Sequence, residues 1–418
     1  MSRILIKGGK TLHGEITLQG AKNSVLPVLA GALLCEGKSR IHNCPVISDV
    51  DTSVRILTAL GCVCHVEGNS LTVDALGADG YEIPEELMRE MRSSVVFLGA
   101  VLGKTGKAVI SSPGGCELGP RPIDLHISSL KKLGVTIEED RGYIFCSAPN
   151  GLKGAEITLG FPSVGATENI ILAAVKAEGL TVIHNAAREP EISDLADFLN
   201  SAGARIYGCG SDTVYIHGVK TLYSTEHSII PDRIVTATYM ACAAVTGGNI
   251  TLNGTMPSHI TSVLSVFREA GCDISVSGKS IKINCKNPLT RVPTIRSLVY
   301  PGFPTDAGPL VIAMLSRAKG TSVFVENIFE NRFRYVDELK RLGAKIEIQG
   351  KIAVIEGVSG LSGATCKCTD LRGGAALVTA GLCAKGETVI GEIHHIERGY
   401  DDIVGCLKKL GADIEYIE

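Results

Sequence analysis

Two apolar patterns alternate along the chain. The first is a run rich in Ala, Leu, Ile and Val that stops at a glycine and gives way to a strand-like alternation. It occurs as "AGALLCEGKSRIHN", "LGAVLGKTGKAVIS", "LAAVKAEGLTVIHN", "MACAAVTGGNITLN", "AMLSRAKGTSVFVE" and "AGLCAKGETVIGEI", with Gly37, Gly106, Gly179, Gly248, Gly320 and Gly386. The second is an amphipathic helix end, again followed by glycine and a strand. It reads "LTALGCVCHVEG", "LKKLGVTIEED", "LNSAGARIYG", "FREAGCDISVSG", "LKRLGAKIEIQG" and "LKKLGADIEYIE", with Gly61, Gly134, Gly203, Gly271, Gly343 and Gly411 spaced 73, 69, 68, 72 and 68 residues apart. Self-similarity at a fixed period is the signature of a repeat architecture, and six repeats of roughly 70 residues fill the chain.

Each repeat reads strand, helix, strand, helix, strand, with glycine as the helix stop. Alternation of this kind specifies α/β layers. A first helix that is apolar on every face must be buried on every side, so one repeat is not stable alone. Three repeats can bury three such helices in one core, and six then make two similar domains. The boundary is expected between the third and fourth repeats, around "VKTLYSTEHS" at residues 219 to 228.

Composition narrows the class. In 418 residues, hydrophobic side chains make up 45% and charged ones 20%, with a net charge of -3. That balance gives no polyanion-binding surface, and the absence of Trp with only 5% aromatics removes stacking platforms for nucleic acid. The apolar runs break well short of the ~20 residues needed to span a bilayer. The N-terminal "MSRILIKGGKTLHGEITLQG" reads as two short strands rather than a secretion signal. Fourteen cysteines without a short-spaced framework suit a reducing cytoplasm. "CVC" (Cys62, Cys64) and "CKC" (Cys366, Cys368) are spaced too closely for ordinary zinc pairs, so packing is expected and no metal.

The polar residues fall at recurring places. The buried helices open on "GAKNSVLP", "EMRSSVVF", "PSVGATEN", "PDRIVTAT", "PTDAGPLV" and "TDLRGGAAL", four of which carry a cation: Lys22, Arg92, Arg233 and Arg372. The helix macrodipole opposes a cation there by ~0.3 to 1 kcal/mol. Its recurrence suggests helix N-termini and basic side chains aimed together at an anion. The second helices add Arg121, Arg188, Arg332, Arg334 and Arg398 beside carboxylates such as Asp49, Asp51, Glu189, Glu191, Glu330 and Glu397; surface pairing is as good a reading for any one of them. Taken as a set, they point to a small, highly charged ligand such as a phosphate ester with a carboxylate, held between two domains. Neither a P-loop nor a dinucleotide-binding glycine motif is present.

Eleven motifs in register then resemble the enolpyruvyl transferases. They are "GAKN" (20 to 23), "DVDTS" (49 to 53), "MRSS" (91 to 94), "PGGCELGPRPIDLHI" (113 to 127), "SVGATENI" (163 to 170), "NAAREPEI" (185 to 192), "PDR" (231 to 233), "FPTD" (303 to 306), "ENRF" (330 to 333), "TDLR" (369 to 372) and "HIERGY" (395 to 400). The resemblance implies two inside-out α/β barrel domains, each of three pseudo-repeats, covering 20–229 and 1–19 with 230–418. The activity it implies is addition and elimination that joins the enolpyruvyl group of phosphoenolpyruvate to the 3-hydroxyl of UDP-N-acetylglucosamine, with release of phosphate. It implies no cofactor, no nucleic acid or membrane partner, and a cytoplasmic role in committing the sugar to peptidoglycan.

By the same resemblance, Cys116 delivers a proton to the methylene carbon of phosphoenolpyruvate and can form a thioketal with it. Asp306 is the base for the sugar hydroxyl, and Lys22 and Arg398 join these two as catalytic residues. Phosphoenolpyruvate is expected on Lys22, Asn23, Arg121, Arg332, Arg372 and Arg398. The sugar nucleotide is expected on Asn23, Arg92, Arg121, Pro122, Ile123, Asp124, Leu125, Ser163, Val164, Asp306 and Ile328. Asp306 facing cations would stay ionised, while nearby cations and bound phosphate pull the Cys116 thiol in opposite directions. One departure lies at Phe161-Pro162, where many members carry a basic residue toward the diphosphate. A cysteine at 116, where some relatives have Asp, implies sensitivity to the epoxide fosfomycin. The sister reaction on shikimate 3-phosphate lacks this cysteine loop, and a non-catalytic paralogue would not need every charged position filled.

Overall fold

The computed structural model describes residues 2–111 and 123–418, so Cys116, Arg121 and Pro122 lie outside the described residues. The third repeat shows the plan of all six. Its elements are strand Glu156–Thr158, helix Val164–Ala174, strand Leu180–His184, helix Pro190–Ser201, and strands Arg205–Tyr207 and Thr213–His217. The first two strands pair in parallel across the helix, as a strand–helix–strand crossover must. Thr213–His217 then inserts between Leu180–His184 and Arg205–Tyr207, antiparallel to both.

The hairpin strand that closes each of the first five repeats is one more element than the reading above expected. Its alternation, as in "TVYIH", follows a short Gly/Ser turn and merges with the preceding strand when only periodicity is read. Five sheets have four strands in this order, and in the second repeat Lys107–Ser111, Tyr143–Ser147 and Thr136–Asp140 form three, with Glu82 bridging Val109 in the fourth place. The N-terminal strands complete sheets of late repeats. Arg3–Lys7 lies between Glu387–Gly391 and Asp413–Ile417, and His13–Thr17 pairs in parallel with Asn249–Asn253.

The chain divides into two compact units. Among the described residues, one holds those from Gly20 to Ile230 and the other holds Pro231–Glu418 with the residues up to Gln19. Each has its own apolar cluster, and the two clusters share no residue. At the centre of the first pack helices Lys22–Ala32, Phe97–Thr105 and Val164–Ala174, and at the centre of the second Arg233–Val245, Gly308–Leu315 and Leu371–Cys383. Gly308–Leu315 is buried throughout, and Lys22–Ala32 exposes only Asn23. Sheets lie outside and apolar helices inside, which is why these helices show no polar face. Gly99 marks the closest approach: a Cβ there would stand 2.2 Å from the Asn169 carbonyl oxygen.

Glycine stops the second helices as expected. Gly61, Gly134, Gly203, Gly271, Gly343 and Gly411 each follow the C-cap residue with φ between 89° and 103°, a region that penalises any Cβ. The first set requires correction. Only Gly106 directly ends its helix, and Gly248 is not left-handed, the neighbouring Gly247 being so instead. In the first repeat, Cys35–Glu36 intervenes between the helix and Gly37 to pair with Leu222–Tyr223. That pairing satisfies backbone groups a buried helix end would leave bare, and it displaces the glycine into the turn before the next strand.

Beyond the middle strand the chain turns sharply toward the second helix. Asn43 and Asn185 take left-handed φ values of 53° and 56° there, and their side-chain amides donate to the Ile229 and Leu159 carbonyls of the neighbouring parallel strand or its extension. Asn327 does the same to the Ser297 carbonyl.

Candidate active site

In the unit containing Pro231–Glu418, the structure brings three expected site residues together. Asp306 lies in the single turn Thr305–Ala307 that opens the buried helix of the fifth repeat. Its Oδ1 accepts from Arg332 Nη2 at 2.9 Å and its Oδ2 from Arg372 Nε at 3.4 Å. Both arginine side chains are 2% exposed while the carboxylate is 28% exposed, so this face of the cluster opens to solvent through Asp306. Arg372 Nη1 and Arg332 Nε are buried without a hydrogen-bond partner. Buried donors are normally paired in a native fold, so these two are open to a ligand group or an ordered water.

Arg372 is further held by the Tyr400 ring, 5.5 Å from its guanidinium carbon. Burial opposes the charge on Arg372, but Tyr400, Asp306 and Asp232 outweigh it and raise its pKa above the usual arginine value. The Tyr400 hydroxyl in turn bonds the Thr238 hydroxyl at 2.8 Å. Arg398, two residues before Tyr400, is half-buried at the end of the short helix His394–Glu397. Ile328 is fixed through its backbone, whose N–H donates to Glu326 Oε1 at 2.7 Å.

The unit from Gly20 to Ile230 holds the other expected residues. Lys22, first residue of its helix and 8% exposed, places Nζ 2.8 Å from Asp49 Oδ2, and Asn23 beside it is exposed. Arg92 opens the turn Arg92–Val96 ahead of helix Phe97–Thr105 and is half-buried. Asp124 is exposed at the start of helix Asp124–Lys132, with Ile123 and Leu125 half-buried on either side. Ser163 caps helix Val164–Ala174 by accepting from Ala166 N at 3.3 Å. Phe161, two residues earlier, is exposed.

Close by, Asn169 locks a histidine. Its Oδ1 accepts from Gly99 N, so its Nδ2 is the atom that donates to His126 Nδ1 at 2.8 Å. His126 Nδ1 is therefore unprotonated. Burial, aided by the charge of Arg92, pushes its pKa down to about 4. A base protonating more readily unfolded than folded costs stability as the pH falls from 6.5 toward 4, by up to about 3 kcal/mol. Glu168, raised by burial and by Glu191 and Glu189, has the opposite slope. Thermal unfolding of wild type and His126→Gln isolates the first effect: the variant should lose less stability than wild type between pH 6.5 and 4.

The helix openings call for another correction. At Arg233 and Arg372 the helix N-termini are not open to an anion, because Asp232 accepts from Ile234 N and Val235 N, and Asp370 from Arg372 N and Gly373 N. These caps satisfy the first turn and offset the unfavourable cation. Of the arginines beside the second helices, Arg188 does take the surface pairing, 3.5 Å from Asp212, while Arg332 does not.

Thirteen cysteines lie among the described residues, none of them in a disulfide, and no group of described His, Cys, Asp and Glu could hold a metal ion. Burial pushes Cys62, Cys242 and Cys368 up to about 12, and Cys35, Cys146, Cys366 and Cys383 up to about 11. Such thiols are protonated and inert at neutral pH. No helix of the described residues is long and apolar enough to cross a membrane.

With this geometry in place, comparison with known proteins is decisive. The model of the family described as EPSP synthase (3-phosphoshikimate 1-carboxyvinyltransferase) matches residues 6–407. The chain belongs to the enolpyruvyl transferase family. It is 51% identical to UDP-N-acetylglucosamine 1-carboxyvinyltransferase 2 of Caldanaerobacter subterraneus subsp. tengcongensis, over 99% of each chain. To UDP-N-acetylglucosamine 1-carboxyvinyltransferase 1 of Staphylococcus aureus strain N315 it is 45% identical over the full length of both. The fold of this enolpyruvyl transferase superposes on the solved enolpyruvyl transferase NikO from Streptomyces tendae with a TM-score of 0.90, at 25% identity over 100% and 99% of the chains. EPSP synthase from Acinetobacter baumannii shares the fold at a TM-score of 0.78 and 18% identity, over 100% of both chains. The α/β fold that the resemblance implied is thus shared with these enolpyruvyl transferases.

The reading of the residues alone passed over Asp49 as the partner of Lys22, the caps Asp232 and Asp370, and Glu326. Asp49 stood in a quoted motif, and its pairing was open to suspicion. A carboxylate directly after an apolar strand, as at Glu326, reads as the start of a solvated loop, and no sequence signal separates the two.

Proposed function

We propose that this enolpyruvyl transferase joins the enolpyruvyl group of phosphoenolpyruvate to the 3-hydroxyl of UDP-N-acetylglucosamine and releases phosphate. The observation that carries the reading is Asp306 gripped by two buried arginines with donors to spare, in a chain matched end to end by relatives that carry the name of this reaction. A carboxylate half-open to solvent can take a hydroxyl proton, and guanidinium donors beside it can hold a carboxylate and a phosphate.

Atoms and charge balance in two steps. In the addition, the sugar oxygen bonds to C2 of phosphoenolpyruvate as its proton passes to Asp306, and C3 takes a proton from Cys116. In the elimination, the bond from C2 to the phosphate oxygen breaks, C3 returns a proton to the Cys116 thiolate, the leaving phosphate takes up the proton held by Asp306, and the enol ether departs with both residues restored. Arg332, Arg372, Arg121, Arg398, Lys22 and Asn23 hold phosphoenolpyruvate in this scheme. Asn23, Arg92, Arg121, Pro122, Ile123, Asp124, Leu125, Ser163, Val164, Asp306 and Ile328 hold the sugar nucleotide. No cofactor is assigned. The product feeds peptidoglycan synthesis, cell shape and division, and the setting is the cytoplasm. A coupled phosphate-release assay tests the reading: purified protein should release phosphate from phosphoenolpyruvate with UDP-N-acetylglucosamine and none with either substrate alone, and no release would refute it.

A further inference from the structure

We infer that Glu326 is a positioning residue that sets Asp306 and the Ile328 backbone in register. The inference rests on the roles proposed above for those two residues. Glu326 follows strand Thr321–Val325 and is 1% exposed, with both carboxylate oxygens occupied. Oε1 accepts from Ile328 N at 2.7 Å, Phe329 N at 3.1 Å and Ser297 Oγ at 2.8 Å. Ser297 Oγ itself accepts from Asn327 N at 2.8 Å, which commits the hydroxyl proton to Glu326. Oε2 accepts from Thr305 Oγ1 at 2.8 Å.

One side chain therefore fastens three segments of the same unit. Through Thr305 it holds the turn that carries Asp306, and through Ile328 and Phe329 it holds the loop that runs on to Arg332. Arg332 closes the circuit by donating to the Thr305 carbonyl at 3.4 Å and to Asp306 at 2.9 Å. Ser297 anchors the whole to the end of strand Thr294–Arg296. Four donors converge on two oxygens, two of them backbone N–H groups that cannot turn away. A buried acceptor so heavily used in a native fold fixes geometry. Its link to Asp306 runs through Thr305, the residue before it in the chain, so it acts through its neighbours.

Steady-state kinetics on Glu326→Gln, Glu326→Ala and Thr305→Val decide the matter, with the folded fraction of each set by circular dichroism. Gln keeps an oxygen for the three donors on Oε1 and turns an amide toward the Thr305 hydroxyl, which can accept, so it should stay within about threefold of wild type. Ala frees both segments and should lower kcat about 100-fold and raise KM for UDP-N-acetylglucosamine about tenfold. Val at 305 cuts only the arm to the Asp306 turn and should lower kcat about tenfold with KM for the sugar nucleotide unchanged. A role confined to folding would lower the folded fraction and leave KM and the per-folded-molecule kcat unchanged. That result, or Gln as impaired as Ala, would overturn the inference. Should the Ala variant not fold, an unaltered Thr305→Val would overturn it alone. Phosphate release by wild type beside unaltered variants removes only this inference, whereas no release by wild type removes the proposed function and this with it.

Discussion

Asp306→Asn is expected to lower kcat by about three orders of magnitude while the protein stays folded, since a general base commonly contributes 10²–10⁴-fold. The amide is nearly isosteric with the carboxylate and still accepts from one guanidinium, but it cannot take the proton of the sugar hydroxyl. Asp306→Ala should match that loss of kcat and also lower stability. Among the described residues it withdraws the carboxylate that bonds both Arg332 and Arg372, each 2% exposed, and breaking a buried charge pair by deleting one partner costs about 3–5 kcal/mol. Phosphate release and thermal unfolding on the two variants separate the chemical effect from the structural one. An Asn variant within tenfold of wild type would mean that Asp306 only neutralises the arginines.

Cys116→Ala should abolish adduct formation with fosfomycin and lower kcat by about 100-fold or more, whereas Cys116→Asp, which restores a proton donor, should turn over and resist the epoxide. In the adduct a carbon–sulfur bond forms as the epoxide carbon–oxygen bond breaks, and the freed oxygen takes a proton. Selectivity follows from the remaining thiols. Among the described cysteines, burial pushes eight up to about 11 or 12, leaving almost no thiolate on them at neutral pH. Peptide mass spectrometry of treated wild type should place one adduct, on Cys116. Full activity after treatment, or an adduct elsewhere, would contradict the role given to this cysteine.

Repetition is what made the fold legible. Six glycine helix stops and apolar helices that must be buried on every side pointed to α/β layers with three such helices in each core, and the structure places those helices within and the sheets outside. The closing hairpin strand escaped notice because alternation carries no mark of where one strand ends and its antiparallel partner begins. The first set of glycines misled in a similar way, since the pairing of Cys35–Glu36 with Leu222–Tyr223 depends on residues nearly 190 positions away.

Of the cluster, Arg372 was foreshadowed by cations recurring at the openings of the buried helices and Arg332 by those beside the second helices, while Asp306 came from the resemblance. The exact pairing was not foreshadowed, because 26 and 66 residues separate Asp306 from its two partners. Asp232 and Asp370 show why helix openings alone overstate anion sites: Asp beside a cation caps the backbone as readily as it signals chemistry. Glu326 was invisible for a different reason. Its four donors come from three segments, and nothing local marks a carboxylate as buried.

The central claim, that this chain transfers enolpyruvyl to the sugar nucleotide, is tested most directly by competition. Purified protein is incubated with phosphoenolpyruvate and equal amounts of UDP-N-acetylglucosamine and shikimate 3-phosphate, and the products are resolved by mass spectrometry. The account predicts the enolpyruvyl ether of UDP-N-acetylglucosamine, with shikimate 3-phosphate unchanged. Enolpyruvyl transfer to shikimate 3-phosphate, or to neither acceptor, would contradict it.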